Sequence, residues 1–194
     1  MNLKRSISKV VRVLPTLFEP GELPYYLSTS KSELHLRDRI AFCLQSEYPL
    51  LTCLREYKRS DLVIVSDSGP VCHVEFKLIY ASGVAIGYSP SLAQIRKLAR
   101  QMSKLGVGQS YGIIFLPNLS APSTSSILYA SKKAYFDLAA RAESMHPGKV
   151  TPMALEQCKR LLSEHYHMQH SIQKVGNSIG VDVELLTICI ERKK

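Results

Sequence analysis

The chain lacks several features that would assign it to a class of protein at once. No apolar run approaches the ~18 residues that a membrane-spanning helix needs. We therefore expect no membrane partner. The amino-terminal stretch, residues 1–12, is basic and amphipathic but has no signal-peptide core and no small-residue cleavage site. We expect a cytoplasmic protein, or a nuclear one in a eukaryotic or viral setting, rather than a secreted one.

Motifs of several common sites are also missing. The five cysteines are scattered and form no Cys-x-x-Cys pair, which fits reduced thiols better than a disulfide framework. There is no glycine-rich phosphate loop and no Gly-x-Ser-x-Gly elbow. His165, His167 and His170 lie close together, but their spacing matches no established zinc pattern. We interpret them as a polar helix end, with a zinc site as the alternative.

What the chain has is length, apolar content and positive charge. Its 194 residues are 45% hydrophobic, enough for one domain with a good core, and we treat residues 1–194 as that domain. The formal net charge is +9. Such a balance favours a polyanionic partner, most often nucleic acid or an anionic membrane surface.

The central stretch of the sequence, residues 60–78, reads as a β-hairpin. Two apolar runs flank the turn formers of residues 66–70. Side chains alternate between the faces of a strand, so Glu75 and Lys77 share one face with Val71 and His73. The opposite face is apolar and should enter the core, and its residues are Cys72, Val74, Phe76 and Leu78.

The hairpin also predicts which residues face each other across the two strands. If residues 66–70 form the loop, Val65 lies opposite Val71 and Asp61 lies opposite Glu75. The Cβ atoms of the two acids would then be roughly 5 Å apart. Two carboxylates at that distance repel unless a cation lies between them. An oxygen-rich pair of this kind suits Mg²⁺, which proteins hold with one or two carboxylates plus waters and substrate phosphate.

A helix over residues 28–46 precedes the hairpin. Its apolar residues Leu36, Ile40, Cys43 and Leu44 cluster on one face, and Glu33 falls near the middle of that face. A carboxylate on an inward face is costly unless it is paired or binds a cation. Two interpretations stay open: a further metal-site carboxylate, or a first-turn acid that points to water and is favoured by the helix dipole.

A second helix, over residues 89–105, begins at a Ser-Pro pair. It buries an apolar face and presents a stripe of cations with no acid in the helix, formed by Arg96, Lys97, Arg100 and Lys104. Gln94 and Gln101 lie at the boundary of the two faces. A charge stripe is usually a solvated face, and contact with phosphate is the alternative that the charge of this chain favours.

The remaining elements complete a predicted α/β protein. Residues 3–14 form a short helix or strand, and residues 15–24 a proline-rich connector. A strand lies within residues 48–57, and a buried strand over residues 110–116 ends at Pro117. Helices follow over residues 127–144 and from Thr151, and residues 178–194 form a final strand or two.

These residues support a resemblance to a known family. Asp61, thirteen intervening residues and then Glu75-Phe76-Lys77 resemble the motif of the PD-(D/E)xK nuclease superfamily. The element order over residues 28–117 is similar to that family's αβββαβ core, a mixed central sheet flanked by helices in the restriction-endonuclease-like fold. Residues 123–194 would add helices and a strand. One departure is Ser60, which stands where the family often has proline.

The resemblance implies a role for each site residue. Asp61 and Glu75 would bind Mg²⁺, with Mn²⁺ as a substitute, helped by the backbone carbonyl of Phe76. Glu33 would add a carboxylate, directly or through water. Lys77 would orient the attacking water and stabilise charge on the phosphate. Gln94 is similar to a polar position that some members use near the active site.

Three functions follow as hypotheses. The leading one is a metal-dependent nuclease that hydrolyses phosphodiester bonds, of DNA rather than RNA, working as a homodimer or within a larger nucleoprotein complex. The second is a non-catalytic nucleic-acid-binding or assembly protein that retains the nuclease fold. The third is a partner-binding protein in which Asp61 and Glu75 are ordinary surface acids.

Overall fold

Six strands form one mixed sheet with helices on both faces. The computed structural model describes residues 3–30, 32–57, 60–105 and 109–193. The strands are β1 (Thr52–Tyr57), β2 (Ser60–Ser66), β3 (Gly69–Leu78), β4 (Gln109–Leu119), β5 (Tyr166–Ser178) and β6 (Val181–Arg192). The helices are α1 (Leu3–Arg12), α2 (Glu22–Thr29), α3 (Glu33–Glu47), α4 (Ala81–Ala85), α5 (Ser89–Lys104), α6 (Ile127–Ser131), α7 (Lys133–Met145) and α8 (Val150–Leu162).

The strand order in the sheet is β1-β2-β3-β4-β6-β5. β3 and β4 run parallel and are joined by a crossover that contains α4 and α5. The other neighbouring pairs are antiparallel. The predicted α/β class, with a mixed central sheet flanked by helices, is confirmed.

The two faces of the sheet bury separate apolar clusters. One cluster receives side chains of α1, α2 and α3, including Leu36, Ile40 and Leu44. The other receives α4, α5 and α8, including Ile95 and Leu98. Because side chains alternate along a strand, β3 can feed the first cluster and still present Glu75 on the opposite face. None of the helices in the described ranges is long and apolar enough to cross a membrane.

The predicted hairpin forms, with a tighter turn than expected. Leu62 lies opposite Val74 and Ile64 opposite Cys72, so the predicted register is confirmed through the middle of the hairpin. The predicted pairing of Val65 with Val71 is wrong, since Val65 lies opposite Pro70 beyond a register shift. The turn between the strands needs only two residues, and a bulge on β3 absorbs the extra one.

Several predicted boundaries are wrong at the amino-terminal side. The predicted helix over residues 28–46 begins later, at Glu33, and a separate helix, α2, runs from the end of the predicted connector into the predicted start of that helix. Ser30, which follows α2, has extended backbone angles that end that helix. The predicted helix over residues 89–105 is confirmed almost to the residue, as α5.

The carboxy-terminal part differs more from its prediction. The predicted helix over residues 127–144 is two helices, α6 and α7, which meet at Lys132. The predicted final strand is half of a long β5–β6 hairpin that extends the main sheet. The expected polar helix end at the histidines is wrong, because α8 ends at Leu162 and His167 and His170 belong to β5. Three positions apart on a strand, these two point to opposite faces.

β4 continues through Pro117, where an end was predicted. The carbonyl of Phe115 accepts a hydrogen bond of 2.9 Å from the Ile79 N–H, on the β3 side. The nitrogen of Pro117, two residues further, faces the same side, where β3 has already ended. Its missing N–H therefore breaks no ladder bond, and pairing with β6 continues to Leu119.

Gly112 lets α5 approach the sheet closely. It lies on β4, opposite Glu75 of β3. A Cβ atom added there would lie 2.6 Å from the Met102 Sδ atom of α5 and 2.7 Å from the Ile190 Cγ1 atom of β6. A side chain at this position would clash with both atoms, so the side chains of Met102 and Ile190, or α5 itself, would have to shift beside Glu75.

The Gly112→Ala variant should therefore lose about 1–3 kcal/mol of unfolding free energy, the usual cost of overpacking a core. Urea unfolding followed by circular dichroism measures this. Adding Met102→Ala removes one of the two close contacts, so the double variant should be more stable than the sum of the two single changes predicts. Strict additivity, or a Gly112→Ala variant as stable as the parent, would contradict the close packing.

Candidate functional site

Four ionisable residues from three elements meet at the carboxy-terminal half of β3. Asp61 lies near the start of β2, and Glu75 and Lys77 lie on β3. Glu33 is the first residue of α3. The structure thus brings together the four residues that the sequence predicted as catalytic.

Asp61 and Glu75 tie the two strands together through their side chains. The Phe76 N–H donates a 2.8 Å hydrogen bond to Asp61 Oδ2, and the Asp61 N–H donates to the Glu75 carboxylate. These two hydrogen bonds lie next to the backbone pairing of Leu62 with Val74 along the hairpin. The two acids therefore lie side by side, as the predicted register requires.

Glu75 is a buried acid, with only 1% of its surface exposed. Its carboxylate also accepts hydrogen bonds from the Ser60 hydroxyl and from Gln101 Nε2, the latter at 3.3 Å. Burial, reinforced by the charge of Asp61, raises the pKa of Glu75 to about 7, although Lys77 and the hydrogen bonds oppose this. The site therefore holds an acid whose negative charge is poorly compensated by its surroundings.

Lys77 provides the positive charge of the site. Its Nζ atom donates a 2.6 Å hydrogen bond to the Phe76 carbonyl oxygen. The same atom lies 3.4 Å from Glu33 Oε1 and 4.0 Å from Asp61 Oδ2. The side chain is 14% exposed, so its ammonium group is largely desolvated and its interactions with the two acids are stronger than on an open surface.

Glu33 does not point freely to water. Its Oε2 atom accepts a 2.7 Å hydrogen bond from the Leu78 N–H at the end of β3, and its Oε1 atom pairs with Lys77. The alternative of a solvated first-turn acid is therefore wrong. Glu33 anchors the start of α3 to the strand that bears Glu75 and Lys77.

α5 approaches the site through a residue that was not predicted as a site residue. Gln94, the predicted polar residue, is exposed, whereas Gln101 contacts Glu75. The two glutamines are seven positions apart and therefore share one helix face. This spacing was the signal in the sequence that could have predicted Gln101 as a site residue. The Gln101 Oε1 atom is buried without a hydrogen-bond partner among the described residues.

The basic stripe on α5 remains at the surface. Its four cations, Arg96, Lys97, Arg100 and Lys104, are all exposed. Ile95, Leu98 and Met102 anchor the other face of α5 in the core. The stripe therefore lies on the same helix as Gln101, which ties an exposed cationic surface to the site.

The donor atoms of the site are of the kind that bind the Mg²⁺ ion that the resemblance implies. Asp61, Glu75 and the Phe76 carbonyl offer only oxygen atoms, the ligands that Mg²⁺ prefers, and the raised pKa of Glu75 signals a place where a cation is favourable. In the described part of the chain, however, no three or more His, Cys, Asp or Glu side chains converge as a metal-binding group. The donors fit a two-carboxylate site, while Glu33 is engaged by Leu78 and Lys77.

Comparisons with known proteins returned no relative. Neither models of protein families, nor curated proteins, nor solved structures matched the chain.

The raised pKa of Glu75 predicts how stability varies with pH. Folded protein holds the Glu75 proton up to about pH 7, whereas the unfolded chain releases it near 4.5. The contribution of this group is present below pH 4.5 and is lost as the pH rises through 7. Relative to Glu75→Gln, the parent should lose on the order of 2 kcal/mol between pH 5 and 8.

Denaturant unfolding of both proteins at several pH values, without divalent ions, measures this difference. Asp67→Asn, in the exposed hairpin turn, is the matched control and should track the parent. A constant difference between the parent and Glu75→Gln across this range would contradict the strained carboxylate.

Proposed function

We propose that the protein is a metal-dependent nuclease that hydrolyses phosphodiester bonds, with DNA as the favoured substrate. The motif Asp61…Glu75-Phe76-Lys77 and the element order from α3 to β4 resemble the PD-(D/E)xK superfamily and its restriction-endonuclease-like fold. The net charge of +9 favours a polyanionic substrate.

One observation carries this proposal. Two carboxylates, one of them buried, adjoin a largely desolvated lysine at a single point of the sheet. Burying charged groups is costly, and perturbed acids of this kind cluster at functional sites. An ion pair with a purely structural role needs one acid and one base. It would need no second acid in surroundings that disfavour the negative charge of that acid.

The chain would contribute in three ways. Asp61 and Glu75, with the Phe76 carbonyl, would hold the divalent ion. When bound, that ion would supply polarisation of the phosphoryl oxygen and a lower pKa for a bound water. Lys77 would stabilise negative charge that develops on the phosphate, and Glu33 would hold the Lys77 ammonium group in position.

The stripe on α5 would position the substrate. Contacts to phosphate fix the register and orientation of a nucleic acid without reading its sequence. Because Gln101 of the same helix contacts Glu75, a backbone bound along the stripe would pass close to the carboxylates. Cutting both strands of a duplex often uses two such sites, as a homodimer or a larger nucleoprotein complex would supply.

A second function has its own supporting observation. The Lys77 ammonium group bonds to the Phe76 carbonyl and adjoins Asp61, so it occupies the surroundings in which a cation would be held. No group of three or more metal-binding side chains converges among the residues described. A non-catalytic nucleic-acid-binding protein would use this internal cation permanently, and would bind nucleic acid in a salt-sensitive way without cutting it.

Purified protein with Mg²⁺ or Mn²⁺ should cleave at least one substrate in a panel of linear, supercoiled, single-stranded and branched DNA and RNA. Lys77→Ala and Asp61→Asn should each lower the cleavage rate roughly 100-fold or more, because each removes stabilisation of the transition state. Lys159→Ala and Asp67→Asn are matched controls at exposed positions and should retain the rate.

Cleavage that survives both site variants would contradict the proposed site. Salt-sensitive binding without cleavage by any divalent ion would favour the second function instead.

Charge removal from the stripe should affect binding rather than chemistry. Arg96→Ala and Arg100→Ala should each weaken DNA binding by a similar factor for every sequence tested. Each should also reduce the slope of log K against log salt concentration by about one. Single-turnover rates at saturating protein should stay near the parent value, with Arg141→Ala on α7 as the control. An unchanged salt slope for both variants would mean that the stripe is only a solvated face.

A further inference from the structure

Ser60 precedes Asp61 and lies deep in the site, although nothing in the proposed chemistry uses it. Only 1% of its surface is exposed. Its Oγ atom lies 3.0 Å from His73 Nδ1, and its hydroxyl is also hydrogen-bonded to the Glu75 carboxylate. Ser60 thus connects His73 and Glu75, which share a face of β3 two positions apart.

The direction of these two hydrogen bonds follows from counting protons. In the ionised form, the form that would hold a cation, the Glu75 carboxylate only accepts, so the single hydroxyl proton of Ser60 is donated to Glu75. The Ser60 oxygen is then left as an acceptor, and His73 Nδ1 must carry a hydrogen and donate it. The order of donation is therefore His73 to Ser60 to Glu75.

We propose that Ser60 and His73 are positioning residues that fix the Glu75 carboxylate beside Asp61. This inference rests on the proposed function, because it assigns Glu75 the orientation needed to hold a cation with Asp61. Glutamate has three rotatable side-chain bonds, and its head group is held only as firmly as its hydrogen-bond donors hold it. Ser60, the Asp61 N–H and Gln101 approach the carboxylate from β2 and α5.

The arrangement needs a residue at position 60 whose side chain can donate a hydrogen bond. Proline and alanine have no side-chain donor, and either would leave a buried oxygen of Glu75 without one of its partners. His73 orients the hydroxyl in turn. Because its Nδ1–H donates to the Ser60 oxygen, Nδ1 cannot accept the Ser60 proton, and Glu75 is the acceptor that remains. The two residues therefore act in series rather than independently.

Variants that keep or remove each hydrogen bond test the inference. Ser60→Ala and His73→Leu remove one bond each, whereas Ser60→Thr keeps the hydroxyl and His73→Asn keeps a donor near the Nδ1 position. Mn²⁺ affinity, measured by electron paramagnetic resonance, is the readout. The two removing variants should bind Mn²⁺ roughly 10-fold to 100-fold more weakly, as partners of metal ligands typically do.

Ser60→Thr and His73→Asn should stay close to the parent. Because the residues act in series, the combined Ser60→Ala and His73→Leu variant should be no weaker than Ser60→Ala alone. Parent-like Mn²⁺ affinity in both removing variants, or multiplying losses in their combination, would overturn the inference.

A second measurement separates this inference from the proposed function. If the parent binds no Mn²⁺ at all, the metal-dependent function fails, and the positioning is judged in metal-free protein. There, Ser60→Ala should lower the urea midpoint of unfolding more in the parent than in a Glu75→Met background, where only the hydrogen bond to His73 remains to be lost. An equal shift in both backgrounds would overturn the positioning role.

Discussion

The burial of Glu75 beside Asp61 is the constraint on which the rest of the site depends. A buried carboxylate next to a second acid is unfavourable unless donors and cations surround it. The structure meets this need only in part, with donors from β2, a lysine from β3 and an amide from α5, and the pKa of Glu75 stays raised. Each of these elements must therefore be held at a fixed distance from the others.

Close packing in the rest of the fold holds these elements at those distances. Pairing of Leu62 with Val74 sets the register that brings Asp61 to Glu75. Gly112 admits Met102 against the sheet and so brings the Gln101 face of α5 to the carboxylate. Glu33 fastens α3 to the end of β3 through the Leu78 N–H. A change in any of these contacts would alter the position or the surroundings of the Glu75 carboxylate.

Much of the site could be predicted from the sequence because it obeys local periodicity. Strand alternation alone places Glu75 and Lys77 on one face and Val74 and Phe76 on the other, and the structure buries the latter pair in the core. The inward position of Glu33 follows from helical periodicity.

The rest depends on contacts between distant parts of the chain. Glutamines at positions 94 and 101 look equivalent on a helical projection, and only the closeness of α5 to Gly112 selects the second. The turn at Val65 and Pro70 depends on a bulge that restores the register, which the pattern of apolar residues does not reveal. The β5–β6 hairpin pairs with β4 across more than sixty positions of sequence, where local patterns carry no information.

We propose that Asp61 and Glu75 form a site for a divalent ion in a phosphodiester-cleaving enzyme. A crystal soaked in Mn²⁺, examined at a wavelength where manganese scatters anomalously, tests that claim most directly. The account predicts an anomalous peak about 2.0–2.2 Å from oxygens of both carboxylates, near the distances of a hard octahedral cation. A crystal without such a peak at millimolar Mn²⁺, in which Lys77 still bonds to the Phe76 carbonyl, would contradict it.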